Sequence, residues 1–196
     1  MTKKKQDEKD IIKESISESI STKEKLLKPH AIERFILVSS VVVDALKNGN
    51  KVLLCGNGGS AADCQHWAAE MTGRFLKERR SLPFIALTTN SSELTSIGND
   101  YSFNVVFSRQ VEGIGKKGDI LICISTSGAS KNVIEAAKAA KKKKMKVISL
   151  TGKEPSHLSK ISDITISVNS TKTPRIQEAH SLIIHILCHL IEEKLF

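Results

Sequence analysis

The sequence predicts an α/β protein, a single domain with a five-stranded parallel sheet between layers of helices. Three observations predict it. Five short apolar runs recur between residues 51 and 168, and stretches of helical character alternate with them. That alternation implies parallel strands covered on both faces. The chain has 196 residues, enough for one well-buried core and short for two.

Residues 7–48 read as helical, with a break near Lys28 and Pro29. Ile32, Phe35, Ile36, Val42, Val43 and Leu46 follow a partly helical spacing, and Asn48-Gly49-Asn50 ends the segment. The first strand is residues 51–55, followed by a glycine-rich turn and a helix through Phe75. Residues 83–88 form the second strand, and helical material continues to Gly113. The third strand is 119–124, with a helix over 130–144; the fourth and fifth are 146–150 and 163–168. A long helix from Pro174 to near Leu195 closes the chain, and the first ten residues are expected to be loose. In parallel sheets ligands sit beyond the C-terminal strand edge, so the turns after Cys55, Thr88, Ile124, Leu150 and Val168 are where function is sought.

Composition narrows the class. A hydrophobic fraction of 40% is that of an ordinary globular protein, and no apolar run approaches the ~20 residues of a membrane span. The charged N-terminus lacks the apolar stretch of a signal peptide. Cys55, Cys64, Cys123 and Cys188 contain no C-x-x-C pair, which argues against a four-cysteine metal site and suits a reducing, cytoplasmic setting. The net charge of +9 owes much to Lys3-Lys4-Lys5 and Lys141-Lys142-Lys143-Lys144. Lysines at a helix end complement its dipole, so this excess reads mainly as solvated surface, with some help toward an anionic small substrate. One Trp and one Tyr make a poor base-stacking platform, and nucleic acid is not an expected partner.

Two loops carry chemistry. After the third strand, Ser125-Thr126-Ser127-Gly128-Ala129-Ser130 leads into a helix. Free N–H groups and the dipole at a helix start favour an anion, the hydroxyls add donors, and Gly128 permits a tight turn. An ordinary cap needs only one such hydroxyl, so the cluster reads as a phosphate site. After the first strand, Gly56-Asn57-Gly58-Gly59-Ser60 also enters a helix, without the spacing of a dinucleotide fingerprint or a P-loop. The pair of loops suggests a small phosphorylated ligand held from two sides.

His66 and Glu70, four apart, share a face of the helix that starts at the glycine loop. Such a pair ligates metal, does acid–base work or simply decorates a polar surface. The last helix holds Gln177, Glu178, His180, His185 and His189, of which Glu178, His185 and His189 lie near one stripe. Gln177 and His185 are offset by roughly 80° around the helix, so spacing does not single them out together.

These residues carry a resemblance. Gly56-Asn57-Gly58-Gly59-Ser60-Ala61-Ala62-Asp63, His66-Trp67-Ala68-Ala69-Glu70, Thr72-Gly73-Arg74, Ile97-Gly98-Asn99-Asp100, Phe107-Ser108-Arg109-Gln110, Ile124-Ser125-Thr126-Ser127-Gly128 and Arg175-Ile176-Gln177-Glu178 stand in the order found in bacterial phosphoheptose isomerases. That family has the sugar isomerase (SIS) fold. The resemblance runs from about residue 30 to the end, which implies a helical extension over 1–30 and a SIS domain over 31–196.

The resemblance implies interconversion of sedoheptulose 7-phosphate and D-glycero-D-manno-heptose 7-phosphate, the first step toward nucleotide-activated heptose for lipopolysaccharide core or other surface glycans. It implies phosphate contacts from Ser125, Thr126, Ser127 and Ser130. It implies sugar contacts from Asn57, Gly58, Gly59, Ser60, Asn99, Asp100 and Gln177, with Arg74 a weaker candidate. Glu70 and His185 take the places of the catalytic pair, Glu70 as base toward carbon and His185 as acid toward the oxygens of an enediol. Some members bind Zn2+ through the positions of His66, Glu70, Gln177 and His185, and the family forms homotetramers with active sites at subunit interfaces.

One departure is Pro174, which stands where some relatives carry a substrate-contacting acid, so that contact is absent or replaced. The loop Gly152-Lys153-Glu154-Pro155-Ser156 also lacks the glycine run common after this strand. Three other readings share the motifs: a non-catalytic SIS protein that binds the replication initiator, a sugar-phosphate-sensing regulator, and an isomerase of another ketose phosphate. The initiator-binding relative lacks the glutamate and histidine that stand here as Glu70 and His185, which favours the enzyme.

Overall fold

A computed structural model describes residues 7–196; the Lys3-Lys4-Lys5 run lies outside them. The chain enters through α1 (Glu8–Glu24), so residues 8–10, expected to be loose, are helical: the Asp7 side chain caps the helix start by accepting from the Lys9 N–H. A short 3-10 turn at Lys25–Leu27 makes the break expected near Lys28, and α2 (Pro29–Lys47) restarts with proline in its first turn, where a missing N–H costs nothing.

Five strands follow: β1 (Val52–Gly56), β2 (Phe84–Ala86), β3 (Ile120–Ser125), β4 (Lys146–Thr151) and β5 (Ile164–Ser167). All pairings are parallel, in the order β2-β1-β3-β4-β5. Intervening helices are α3 (Gly59–Thr72), α4 (Ser91–Asp100), α5 (Val106–Ile114), α6 (Lys131–Lys142), α7 (His157–Ile161) and the closing α8 (Thr173–Leu195). The short α7 has no counterpart in the sequence reading. Five residues are too few to show a period, and its capping box of Ser156 and Ser159 reads as loop composition. α3 stops at Thr72 rather than Phe75, and the edge strand β2 is half its expected length.

Side chains of the three central strands alternate between two cores. Val52, Leu54, Ile120, Ile122, Ile148 and Leu150 pack on α2, α3 and α8 through Val38, Trp67, Met71, Ile184 and Leu187. Leu53, Cys55, Leu121, Cys123 and Val147 pack on α5, α6 and α7. Strands buried on both faces read as continuous apolar runs, which is why they were legible. All four cysteines are buried free thiols; burial pushes those of Cys64, Cys123 and Cys188 well up, so they behave as core hydrophobes.

The lysine run at the end of α6 is partly structural: Lys141 pairs with Asp163 at 2.6 Å and Lys143 donates to the Gly115 carbonyl at 3.0 Å. Among the described residues, no helix is long and apolar enough to cross a membrane.

The strand order places the site. From β1 the chain steps to β2 on one side, then to β3 on the other, so connections diverge between β1 and β3. A crevice opens at such a point, outside the carboxyl ends of the two strands. The register pairs Gly56 with Ile124, so the glycine and serine loops leave adjacent strands at one level.

Candidate active site

The serine loop is a compact turn. Gly128 adopts φ 60°, and a Cβ there would lie 2.3 Å from the Ser156 hydroxyl, so glycine is required on both conformational and packing grounds. Its N–H donates to the Ser125 carbonyl at 3.1 Å and to the Ser125 hydroxyl at 3.2 Å. The Ser125 and Ser130 hydroxyls stand 3.0 Å apart, and the Ser127 hydroxyl accepts from the Ala129 N–H. Ser130 is the N-cap residue of α6, yet its side chain makes no capping bond. Its hydroxyl faces Ser125 across the loop instead, which favours the phosphate reading over simple capping.

The two loops are fastened together by a residue the sequence reading missed. Asn57 and the buried Asn132 exchange reciprocal amide hydrogen bonds, each of 2.9 Å. Asn132 also accepts from the Val133 N–H at 3.0 Å. The available signal was a polar residue on the otherwise apolar face of an alanine-rich helix.

Helices α3 and α8 lie side by side and run in the same direction, which assembles the second half of the site. At their starts Gln177 rests on Gly59, so closely that a Cβ at Gly59 would fall 2.3 Å from Gln177 Nε2. One turn on, the Ser181 hydroxyl donates to Asp63 at 2.8 Å. Burial pushes the Asp63 carboxyl up, and the Ser181 bond and nearby His66 offset part of that rise. Next, His66 Nε2 and His185 Nε2 meet at 2.8 Å, and Glu70 Oε1 lies 3.6 Å from His66 Nε2. One ligand atom from each of His66, Glu70 and His185 lies within 4.8 Å of the others. The Phe75 ring packs on His185, centroids 5.5 Å apart.

The offset of roughly 80° between Gln177 and His185 is thereby accommodated, because a contact face on a helix is about 100° wide or more. The stripe of Glu178, His185 and His189 does not act as one group. Glu178 pairs with Arg175, His189 faces Glu193 at 3.6 Å, and only His185 meets α3. His180 is buried in the core, where its Nε2 bonds the Thr151 carbonyl at 3.1 Å.

Other expected residues make contacts of their own. Asn99 and Asp100 are exposed at the end of α4, and the Asn99 amide donates to Asp100 at 2.9 Å. Arg74 is exposed and 3.7 Å from Glu78. Glu70 is eleven residues beyond Gly59, so about 16 Å of helical rise separates it from the start of α3. His66 and His185 are both exposed, leaving the cluster open on one side.

Two imidazoles and a carboxylate form a donor set known in catalytic zinc centres, and the three side chains converge as such a centre needs. His66, Glu70 and His185 therefore fit the metal expected from the resemblance, while Gln177 rests on Gly59. Gln177, an amide, is the unusual member of the expected set.

Known proteins resemble this chain over most of its length. The SIS domain family matches residues 16–152. A phosphoheptose isomerase of a Nitratiruptor species is 59% identical over 155 residues, covering 79% of this chain and 83% of the relative. One from Clostridium acetobutylicum is 50% identical over 189 residues, 96% of each chain. The solved structure of phosphoheptose isomerase GmhA from Neisseria gonorrhoeae superposes with a TM-score of 0.89 at 44% identity, covering 94% of this chain and 98% of that one.

Proposed function

The chain belongs to the SIS domain family and, within it, to the phosphoheptose isomerases, and from that premise we propose how its residues do the chemistry. It is an isomerase that interconverts sedoheptulose 7-phosphate and D-glycero-D-manno-heptose 7-phosphate, at the start of nucleotide-activated heptose synthesis for surface glycans. The serine loop takes the phosphate: N–H groups at the start of α6 and the hydroxyls of Ser125, Thr126, Ser127 and Ser130 supply its donors. Asn57, Gly58, Gly59, Ser60, Gln177, Asn99 and Asp100 contact the sugar.

Hydrogen transfer between C1 and C2 needs a base for a carbon-bound proton and a group that exchanges protons with the oxygens. Glu70 is the carbon base and His185 the proton carrier to and from oxygen. The observation behind this assignment is the convergence of Glu70, His66 and His185 on one point between α3 and α8. Positioned acid–base groups contribute on the order of 10²–10⁴-fold. Zn2+, when bound, would be held by His66, Glu70, Gln177 and His185 and would polarise substrate oxygens as a Lewis acid. A glutamate shared with a metal is a weaker base.

Assembly into a homotetramer with active sites at subunit junctions is part of the proposal. Two features support it. Ile11, Ile12, Ile16 and Ile20 of α1 are exposed, and an apolar groove is lined by Leu26, Leu27, Ile32, Ile36, Leu182 and Ile186. A cytoplasmic location is likewise proposed, supported by four reduced, buried cysteines.

Incubation with sedoheptulose 7-phosphate, followed by NMR, tests the reading. Appearance of the aldose is expected; binding without conversion would assign the chain to a non-catalytic role.

A further inference from the structure

Glu192, near the end of α8, is a carboxylate with a fully buried side chain, and four donors converge on it. The N–H of Phe75 donates to Oε1 at 2.9 Å; those of Leu76 and Lys77 donate to Oε2 at 2.8 and 3.0 Å. Arg79 Nε completes the set at 2.8 Å. Burial alone would raise the carboxyl, but these donors outweigh it and hold the group below the usual range, so Glu192 is ionised.

The rest of the Arg79 guanidinium is spent on the end of α3. Nη1 donates to the carbonyls of Met71, Gly73 and Arg80 at 2.8, 2.9 and 3.1 Å, and Nη2 donates to the carbonyl of Glu70 at 2.8 Å. Three of these are carbonyls at or just past the helix terminus, where intrahelical donors run out.

We propose that the buried Arg79–Glu192 pair is the positioning device of the catalytic pair, fixing Glu70 on α3 against His185 on α8. Two links carry it. Arg79 holds the backbone of Glu70 directly. Glu192, on the same helix as His185, holds the N–H of Phe75, whose ring lies on the His185 imidazole. A planar guanidinium with five fixed donors suits this task, since one group can join a carboxylate on one helix to several carbonyls on another. The pair touches none of the serine loop, so it governs alignment of the reacting groups and leaves phosphate binding alone. A displacement of about 1 Å in such alignment costs up to roughly 10²-fold in rate.

The inference rests on Glu70 and His185 being the acid–base pair, so Glu70→Gln is measured in parallel. Arg79→Lys keeps the charge facing Glu192 but cannot reach four carbonyls; Glu192→Gln keeps the size and loses two-oxygen acceptance. With sedoheptulose 7-phosphate, both are expected to lower kcat at least about tenfold while KM stays within about threefold. The double variant should be little worse than either single one, because the two act as a unit. Arg80→Ala, which removes a neighbouring arginine bonded to neither Glu70 nor Glu192, should keep the parent kcat.

Parent kcat in either folded variant, or a raised KM at unchanged kcat, would overturn the proposal. Loss of cooperative melting in both variants would overturn it too, by making the pair a stability element. If Glu70→Gln is fully active, the acid–base assignment fails instead.

Discussion

The Nε2 atoms of His66 and His185 stand 2.8 Å apart across 119 residues of sequence, with Glu70 Oε1 3.6 Å from His66. At that separation one ring nitrogen donates and the other accepts, and which does which depends on the tautomers. The contact sets a proton-exchanging imidazole beside a carboxylate, the two kinds of group an enediol step needs.

Glu70→Gln removes the base and preserves its size. Turnover is expected to fall by about 10²–10⁴-fold with little change in KM. The carboxylate is part-exposed and its ion-pair partner is His66, so the melting temperature should barely move. Steady-state kinetics by NMR or a coupled assay decides; near-parent turnover would remove Glu70 from the mechanism.

Protein purified with neither added metal nor chelator is expected to carry stoichiometric zinc, and His66→Ala to lose it. Elemental analysis of both preparations is the check. Undetectable metal in a fully active sample would make zinc dispensable.

Ser130→Ala should raise KM by about tenfold, the value of one hydrogen bond to a charged group, with kcat less affected. Because the Ser130 hydroxyl makes no capping bond, the usual cost of about 1 kcal/mol for a lost cap should be absent from a denaturation curve. A large loss of stability with unchanged KM would return the loop to a capping role.

Gly59→Ala places a methyl where the Gln177 side chain now rests, 2.3 Å from its Nε2. Gln177 is flexible at that end and can swing aside, so stability should change by less than about 1 kcal/mol while turnover drops several-fold. An intact rate would show that Gln177 does not need its present position.

His180 makes stability depend on pH. Burial lowers it to about 4, and with Nε2 bonded to Thr151, Nδ1 has no partner among the described residues for a second proton. In the unfolded chain the ring titrates near the ordinary 6.5, so as pH falls below 6.5 the unfolded state binds a proton that the folded state refuses. Stability is full above pH 6.5 and is lost progressively down to about pH 4, by up to about 3 kcal/mol. Urea titrations across that window should show the decline, and His180→Gln should flatten it.

Local chemistry was legible in the chain, and long-range pairing was not. The central strands β1, β3 and β4 are buried along nearly all their length and read as mainly apolar runs; the glycine at 128 and the hydroxyls around it read as an anion-binding turn. Residues acting across helices left weaker traces. Glu192 sits four residues after Cys188 on the buried stripe of α8, a position that marks a buried charge without saying what meets it. Its partners, Arg79 and the N–H groups of residues 75–77, belong to a loop with no period to read.

By itself the sequence determined the α/β class, the glycine and serine loops at the strand ends and, through the order of its motifs, the family. Backbone propensity, burial pattern and helix-start chemistry are properties of neighbours along the chain. Only the tertiary structure decided the strand order that opens the crevice between β1 and β3, the Asn57–Asn132 fastening, and the parallel seating of α3 on α8. Those depend on which faces dock. A helix's own spacing tells which residues share a face, and the facing helix selects which of them meet.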